Sequence, residues 1–334
     1  MKALITADLH LKNWSDRVYN QDGVPKRLEE ILNTFTFICE YAVKNDIKIV
    51  IVAGDTNDLK GTVHTSAFVL LRNILKKYDI QFIFIHGNHD GAQRGSNIRS
   101  AIQLLEYQNV KIIVEPEVID DIAFVPWSRN IPEDIRRIDG RVLISHFGLS
   151  DAVLSTGVSI QTRLSSNDLL KFEKVILGHY HKPQEVGHVL YVGSPVQLSL
   201  SEREEEKRFL LMDTDKENIE ILSIPTRGYR RYIQLIIDNP DEVENIFNQA
   251  KQLMDEGNFV SIKSLIKEIP LDVPENISFF NEYREDFQIR GIRIGMSIKE
   301  QMKKYLEIKN IPEQEHERFI DVCLAGFDKS GEKQ

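Results

Sequence analysis

Short apolar runs alternate with amphipathic stretches along the chain up to about Leu200. The amphipathic stretches repeat their apolar residues at helical spacing, and they predict helices over Lys26–Lys44, Thr65–Tyr78 and Asn97–Tyr107. The apolar runs are rich in Val and Ile, as expected for buried strands, so the alternation indicates an α/β fold. The predicted strands are Ala3–Ala7, Ile47–Ala53, Ile80–Ile85, Val110–Val114, Val118–Val125, Val142–Ser145 and Val175–Leu177, followed by an antiparallel group of Leu190–Val192, Phe209–Asp213 and Ile219–Ile224.

Residues 226–231 are a predicted hinge, and a different pattern follows them. Strands and one helix that are separated by prolines and polar turns predict a small α+β unit, and amphipathic helices come after it. The sequence therefore predicts three domains, at residues 1–226, 229–295 and 296–334. The predicted elements are strands Tyr232–Ile237, Phe259–Ile269 and Asp286–Ile294, helix Asp241–Asp255, a helix from Ser297 onward and helix Glu313–Phe327.

The composition suits a folded protein of more than one domain, because 42% of the 334 residues are hydrophobic and single cores stop growing at about 250–300 residues. The formal net charge of −9 argues against a non-specific nucleic-acid binder, although bound divalent cations would offset it locally in a nuclease. Cys39 and Cys323 follow no metal or redox spacing, which favours a reducing compartment. No signal peptide or membrane span is predicted, so we expect a cytoplasmic protein, in the host cytoplasm if the source is a phage.

Five short polar motifs follow the apolar runs. A strand points residues i and i+2 to the same side, so Asp8 and His10 project together, as do His179 and His181. Because open α/β sheets place ligand sites at the carboxyl ends of their strands, we expect the motifs to converge. Asp, Asn and His without thiolates suit manganese, zinc or iron. The motifs are Asp8-Leu9-His10, Gly54-Asp55, Gly87-Asn88-His89-Asp90, His146 and Gly178-His179-Tyr180-His181.

Taken singly, each motif has an ordinary structural interpretation. An Asp-x-His triplet is common, Gly-Asn is also a turn signal, and a lone histidine such as His146 is more often a surface residue or a satisfied core residue. The joint occurrence of the motifs, each at a predicted strand end, favours a metal site over these alternatives.

These residues resemble those of the calcineurin-like metallophosphoesterase superfamily, and most of all the SbcD-type DNA nuclease subunits and their phage counterparts. The resemblance covers about residues 1–225. Its sharper part is the run Leu177–Gln184 together with Gly193–Ser199, because simple phosphatases of the superfamily usually lack that combination. The resemblance implies a two-sheet αββα sandwich, followed by a small α+β capping domain and a helical segment that binds a partner.

The resemblance also implies a ligand set for two divalent metal ions, with manganese as the expected metal. Asp55 would bridge the two ions, because a carboxylate has two oxygens to share. Hydroxide attack on the phosphodiester would make the protein a metal-dependent DNA exonuclease and endonuclease that acts in DNA repair, recombination or replication. The implied ligands are Asp8, His10, Asp55 and His181 for one ion, and Asp55, Asn88, His146 and His179 for the other.

Two residues are candidates for catalysis. His89 would protonate the leaving oxygen or stabilise charge in the transition state. Family nucleases often carry a histidine three residues after the bridging aspartate, whereas this chain carries Asp58 there. Protein phosphatases of the superfamily have an aspartate at that place, paired to the histidine that matches His89, so Asp58 is expected to orient His89. A solvated carboxylate in the loop at residues 56–60 is the alternative.

DNA, an ATPase and a second copy of the chain are the expected partners. Arg227, Arg230 and Arg231 form the densest basic cluster and are candidates for phosphate contacts, with a structural hinge as the alternative. The C-terminal helices suit docking into a groove, and the resemblance identifies the partner as the coiled-coil base of an SbcC-like ATPase. Family members pair through the region of helices Thr65–Tyr78 and Asn97–Tyr107, which implies a homodimer.

The leading hypothesis is therefore the nuclease subunit of an SbcC/SbcD-like complex, and two other functions stay open. A stand-alone metallophosphoesterase acting on a small phosphate ester would need no partner and no capping unit, so residues 229–334 argue against it. A non-catalytic scaffold for the ATPase would tend to lose metal ligands, whereas the set here is complete.

Overall fold

The computed structural model describes residues 1–14, 19–94, 97–267, 277–282, 298–309, 311–312 and 314–320. The chain forms two compact units, Met1–Ile233 with Gly257–Phe259 and Gln234–Glu256 with Val260–Gln334. The first unit is a mixed α/β sandwich of two sheets, which confirms the predicted fold class.

Strands and helices alternate along the first unit, as the apolar pattern predicts. Its helices are α1 (Lys26–Lys44), α2 (Thr65–Lys77) and α3 (Ile131–Arg137), with short 3-10 turns at Ala101–Leu105, Ser166–Leu169 and Leu200–Glu202. Its strands are β1 (Lys2–Thr6), β2 (Ile49–Val52), β3 (Gln81–Ile85), β4 (Gly91–Arg94), β5 (Asn97–Ser100), β6 (Val110–Ile113), β7 (Glu117–Ile119), β8 (Ile122–Val125), β9 (Val142–His146), β10 (Lys174–Gly178), β11 (Gln184–Val186), β12 (Val189–Tyr191), β13 (Arg208–Asp213) and β14 (Glu220–Pro225).

Two six-stranded sheets form the centre of this unit. The first has the order β14-β13-β1-β2-β3-β6, in which β1, β2, β3 and β6 run parallel and β13 runs antiparallel to β1. The second has the order β11-β12-β10-β9-β8-β7, with β8, β9, β10 and β12 parallel. Parallel strands end at the same edge of their sheet, so each sheet gathers its motifs at one edge.

The side chains of the strands alternate between two separate apolar cores. Leu4 and Val50 belong to the core that packs on α1 and α2. Their neighbours Ile5 and Ile51 belong to the core between the sheets, together with Ile144 of the second sheet. A third core covers the outer face of the second sheet and includes residues of α3. The order of layers is therefore helix, sheet, sheet, helix, and the central strands are covered on both faces.

The predicted helix Asn97–Tyr107 is wrong. Residues 97–100 form β5, which pairs antiparallel with β4, so the hairpin supplies their backbone hydrogen bonds. The helical part is one 3-10 turn, Ala101–Leu105, that starts at Ser100 with a capping box to Gln103 and buries Ile102 and Leu105. Apolar residues at helical spacing misled the prediction because they belong to two different elements.

Two predicted strand assignments also need correction. Val118–Val125 is a hairpin, because Asp120 and Asp121 adopt φ values of 48° and 64° and reverse the chain between β7 and β8. Aspartate tolerates this left-handed conformation better than most residues. The strand predicted over Leu190–Val192 is β12, which belongs to the second sheet and runs parallel to β10 rather than antiparallel. The predicted β13–β14 hairpin is confirmed.

A smaller α+β region follows Tyr232. Its three strands are β15 (Tyr232–Ile237), β16 (Phe259–Ser264) and β17 (Ser278–Asn281), in the order β15-β16-β17. The helix α4 (Val243–Asp255) shares an apolar core with Ile237 and Ile262. The helix α5 (Ile298–Ile308) and a helical stretch at residues 314–320 follow. Among the described residues, no helix has the length and apolar character needed to span a membrane.

Parts of the second half of the chain lie outside the described residues. They include the predicted strand Asp286–Ile294 and the part of the predicted helix Glu313–Phe327 beyond residue 320. The described strand β16 ends at Ser264, before the predicted end at Ile269. The domain limits at 1–226, 229–295 and 296–334 stay predictions.

Candidate metal centre

The motifs meet where strands of both sheets end. Asp8 and His10 follow β1, Asp55 follows β2, and Asn88 follows β3. His146 ends β9, and the last motif follows β10. Three groups of side chains there have nitrogen or oxygen atoms within 4.8 Å of one another: Asp8, His10 and His181; His10, Asp55 and His89; and Asp55, His146 and His179.

The backbone at this edge adopts a conformation that side chains disfavour. Seven non-glycine residues in the described part of the chain have a positive φ, and four of them belong to the predicted ligand set. Such residues cost about 1–3 kcal/mol each and persist where their surroundings hold them in place. The four residues are Asp8, His10, Asp55 and His179, with φ values of 55°, 47°, 49° and 93°.

Two glycines let the strand ends come this close. Gly54 has a φ of +90°, and a Cβ there would lie 2.2 Å from Nδ1 of His146. A Cβ on Gly178 would lie 2.2 Å from the carbonyl oxygen of Ala53. Real Cβ atoms do not approach other atoms so closely, so glycine is required at both positions. The glycines of the Gly-Asp and Gly-His motifs therefore allow the ends of β2, β9 and β10 to lie close together.

Asp55 lies at the centre of the cluster. Its Oδ2 atom is 3.1 Å from Nε2 of His146 and 3.7 Å from Nε2 of His10. Its Oδ1 atom accepts a hydrogen bond of 2.8 Å from the backbone N–H of His89. One buried carboxylate thus faces histidines from both sheets, which is the position that a bridging ligand would occupy.

The remaining candidates face one another in two sets. On one side, Oδ1 of Asn88 lies 2.9 Å from Nδ1 of His179 and 3.1 Å from Nε2 of His146. On the other side, Nε2 of His10 lies 3.0 Å from Nε2 of His181. Two imidazole nitrogens at that distance need a proton or a cation between them. Both carboxylate oxygens of Asp8 accept from the backbone N–H of His179 at 3.1 Å, which links the two sets.

The hydrogen bonds behind the histidines fit a metal site. Nδ1 of His10 faces the Asp58 carboxylate at 3.1 Å, Nδ1 of His181 faces Glu202 at 3.1 Å, and Nδ1 of His146 faces the carbonyl oxygen of Ala53 at 2.8 Å. These oxygens only accept, so each Nδ1 carries a proton, and a deprotonated Nε2 would direct its lone pair into the cluster. Metal-binding histidines are held in this way by outer partners, so the donor set fits divalent cations.

Charges within the cluster shift the pKa values of its members. Burial lowers the pKa of His146, but the Asp55 carboxylate outweighs burial and raises the pKa above its usual value. Burial raises the pKa of Asp55, and His146 and His10 outweigh burial and lower it. Burial and the neighbouring His146 lower the pKa of His179 to about 3. His179 is therefore neutral at pH 7, which is the form that binds a metal.

The structure gives Asp58 a different partner from the one that the sequence predicts. The Asp58 carboxylate accepts from Nδ1 of His10, and its second oxygen lies 3.1 Å from Nζ of Lys12. The backbone carbonyl of Asp58, and not its carboxylate, accepts from Nδ1 of His89. The prediction that the carboxylate orients His89 is corrected accordingly, since any residue at position 58 would offer that carbonyl. His89 keeps Nε2 as the ring nitrogen that can meet a substrate.

Two candidate functional residues, Glu202 and Lys207, were not identified from the sequence. Glu202 is buried and accepts from Nδ1 of His181, from the hydroxyls of Ser194 and Ser199 and from the N–H of Leu198. Lys207 is fully buried, lies 2.6 Å from Glu202 and donates to the carbonyl oxygen of His181. The run Gly193–Ser199 supplies several of these contacts, but nothing in the sequence distinguishes Glu202 from the three glutamates at 204–206.

Asp90 ties two of the motifs together. Its carboxylate accepts from the backbone N–H of Asn57 and of Gly87, both at 2.8 Å. Burial, with the Asp55 carboxylate nearby, raises the pKa of Asp90 to about 7. Asp90, the fourth residue of the Gly-Asn-His-Asp motif, therefore holds the loops after β2 and β3 together.

The arginine cluster divides into one partly buried member, Arg230, and two exposed members, Arg227 and Arg231. Arg230 forms an ion pair with the buried Glu30, and its guanidinium lies 4.2 Å from the ring centroid of Phe259. Arg227 is exposed, and the exposed Arg231 pairs with Glu206 at 2.9 Å. The contacts of Arg230 match the hinge alternative, so only Arg227 and Arg231 remain candidates for DNA phosphates.

The two-sheet sandwich with Asp, Asn and His at its strand ends is that of a metallophosphoesterase. A model of the calcineurin-like phosphoesterase family matches residues 1–205, and the chain belongs to that family. Exonuclease subunit 1 of Enterobacteria phage T4 is 26% identical over 249 residues, which cover 69% of this chain and 70% of the phage protein. The DNA double-strand break repair protein Mre11 of Sulfurisphaera tokodaii is 24% identical over 98% of this chain and 94% of its own length.

A third relative, the DNA double-strand break repair protein Mre11 of Sulfolobus acidocaldarius, is 25% identical over 91% of this chain and 85% of its own length. The resemblance to SbcD-type nuclease subunits is thereby confirmed, as is the prediction of a phosphodiester hydrolase. The protein is a metallophosphoesterase related to nucleases.

Replacement of Asp58 by alanine is expected to lower metal affinity or turnover by about 10–100-fold, the usual cost of losing an outer partner of a metal ligand. The reason is that Asp58 holds Nδ1 of His10. Isothermal titration with Mn²⁺ and steady-state hydrolysis would measure the two effects. Asp79→Ala, at an exposed loop aspartate, is the matched control. Wild-type metal binding and turnover in Asp58→Ala would contradict this role.

Proposed function

We propose that this chain is a two-metal-dependent DNA nuclease, with exonuclease and endonuclease action on phosphodiester bonds in DNA repair, recombination or replication. The main support is the position of Asp55, whose single Oδ2 atom faces His10 on one side and His146 on the other. That arrangement suits one carboxylate shared by two cations. The names of the relatives, an exonuclease subunit and repair proteins for DNA double-strand breaks, support DNA as the substrate.

We assign the ligands as the sequence predicts them. Both sets share Asp55, and the outward hydrogen bonds of His10, His146 and His181 support them. Manganese is the proposed metal, because oxygen and imidazole donors without thiolates suit it. The first set is Asp8, His10, Asp55 and His181, and the second is Asp55, Asn88, His146 and His179.

The bound cations would supply Lewis-acid charge to the phosphate and lower the pKa of an attacking water. His89 lines the same pocket, which has a volume of about 300 Å³. Because Nδ1 of His89 donates to the Asp58 carbonyl, Nε2 is the atom that would give a proton to the leaving sugar oxygen.

The proposed partners of this nuclease are DNA, an ATPase and a second copy of the chain. The exposed Arg227 and Arg231 would meet DNA phosphates. The helices in residues 296–334 would bind a coiled-coil ATPase of the SbcC type, and the region of α2 would form a homodimer. Such a protein would work in the cytoplasm, or in the host cytoplasm if it comes from a phage.

The substrate class can be tested with metal-stripped protein that is reloaded with Mn²⁺ and offered single-stranded DNA, double-stranded DNA and a chromogenic phosphodiester. We expect DNA cleavage that stops on chelation and is lost in His89→Ala. Cleavage of the small diester alone would favour a stand-alone phosphoesterase. Absence of all cleavage, even with the ATPase present, would favour a non-catalytic scaffold.

A further inference from the structure

The pocket beside the metal centre is rich in acidic groups and contains a single lysine. Its walls carry Asp55, Asp58 and Glu202, while Lys12 is the one Lys or Arg side chain among the lining residues in the described part of the chain. A phosphodiester carries a negative charge, so the carboxylates of Asp55 and Asp58 disfavour its entry, whereas Glu202 is paired with the buried Lys207. The proposed cations would attract the phosphate at the ligands, and Lys12 is the lysine that the described pocket wall adds to them.

Lys12 is held in place by two neighbours. Its Nζ atom lies 3.1 Å from Oδ2 of Asp58 and 3.9 Å from the ring centroid of Trp14. Trp14 packs against the core of α1 and α2, so the ring is a fixed support. The other oxygen of Asp58 faces His10, which fixes the carboxylate as well. The ammonium is thus positioned at the pocket and keeps 29% of its side chain exposed.

An ammonium held in this way can still bind a substrate. It has three N–H donors, of which Asp58 accepts one and the Trp14 ring face attracts the positive charge as a whole. At least one donor therefore stays available to a phosphate oxygen, and Lys12 need not leave Asp58 to reach it. Lys12 also follows the candidate ligand His10 by two residues, so the loop after β1 carries both groups.

We propose that Lys12 binds a non-bridging oxygen of the phosphate that enters the catalytic pocket, with Asp58 and Trp14 as its supports. The proposal adds a substrate-binding residue to the proposed nuclease. It rests on the nuclease function only for the identification of DNA as the molecule that carries the phosphate. The group that Lys12 recognises is a phosphodiester anion, in DNA or in a small ester. Lys12 is then a substrate-binding residue, distinct from the ligands that hold metal.

The test uses Lys12→Met, which keeps an unbranched side chain of similar length beside Trp14 and removes the charge. Lys12→Arg restores a cation, and Lys48→Met makes the same change at a side chain that is 72% exposed before the start of β2. The first readout is binding of a fluorescent single-stranded oligonucleotide in Ca²⁺ over a salt series. The second is KM and kcat for a chromogenic phosphodiester in Mn²⁺, with metal content measured for every variant.

We expect Lys12→Met to raise the oligonucleotide Kd and the diester KM by about 10-fold, the usual effect of losing a hydrogen bond to a charged group. Its log Kd should depend less on log salt, by about 0.7 in slope for one lost contact to a single strand. The kcat and metal content should change little, Lys12→Arg should recover most of the binding, and Lys48→Met should match the wild type.

Two results would overturn the proposal. Unchanged Kd, KM and salt slope in Lys12→Met would show that Lys12 does not touch the phosphate. A fall in kcat and metal content at constant KM would show that Lys12 acts only through Asp58 and His10. If the wild type cleaves the small diester but neither binds nor cleaves DNA, the nuclease function fails, and the KM of the diester still tests Lys12.

Discussion

Asp55→Asn is expected to abolish the activity, with a loss of more than about 100-fold, because it would remove the proposed shared ligand rather than an outer partner of a ligand. The variant keeps the size of the side chain and one oxygen, so the backbone bond from His89 can persist. It removes the charge that faces both His10 and His146. The number of Mn²⁺ ions bound per chain should fall, as measured by isothermal titration and by metal analysis after desalting.

The matched control is Asp46→Asn. Asp46 lies before β2 and Asp55 lies after it, and both residues have a positive φ. The Asp46 side chain is 86% exposed and forms an ion pair with Lys48. Exposed ion pairs contribute about 0–1 kcal/mol, so this variant should bind metal and cleave DNA as the wild type does. Full metal content together with full activity in Asp55→Asn would show that Asp55 is not a metal ligand.

Glu202→Gln is expected to have the second largest effect, through two separate routes. The glutamate orients His181 through Nδ1, so metal affinity or turnover should fall by about 10–100-fold. It also neutralises the fully buried Lys207, and removal of one partner of a buried ion pair costs about 3–5 kcal/mol of folding free energy. Glu205, also 2.6 Å from Lys207, should reduce that cost.

A second substitution separates the two routes. In Glu202→Gln combined with Lys207→Met, the buried ammonium is removed, so part of the free energy of unfolding should recover, and the loss of the Lys207 partner of Glu205 limits that recovery. His181 still lacks its carboxylate partner, so metal affinity should stay low. Glu204→Gln, at a glutamate with an 85% exposed side chain, is the control for both measurements. Wild-type metal affinity in the double variant would show that Glu202 only supports the fold.

The apolar pattern predicts the central strands well because both of their faces are buried, as in β1 and β2, where neighbouring residues enter different cores. The same reasoning fails between residues 97 and 107, where backbone pairing of β4 with β5 overrides helical spacing. The apolar pattern also predicts β7 and β8 as one strand, because a turn of two consecutive aspartates in the left-handed conformation changes the hydrophobic pattern very little.

The candidate site shows a similar division. The strand ends bring Asp8, His10, His179 and His181 to one place from the sequence alone. The i, i+2 rule does not describe their backbone, because Asp8, His10 and His179 lie beyond the strands with positive φ values. The outer partners are harder to predict, because Glu202 reaches His181 through a loop that no periodic pattern describes. Asp58 can be located beside the site, but only its conformation decides that its carboxylate turns to His10 while its carbonyl meets His89.

The central claim is that the strand-end cluster holds two metal ions that are required for DNA cleavage. The most direct measurement titrates Mn²⁺ into metal-stripped wild-type protein while DNA cleavage and bound metal are followed in the same samples. The account predicts that cleavage appears as the bound metal approaches two ions per chain, and that chelation abolishes it. DNA cleavage at full rate without bound metal, or two bound ions without any cleavage of DNA or diester, would contradict it.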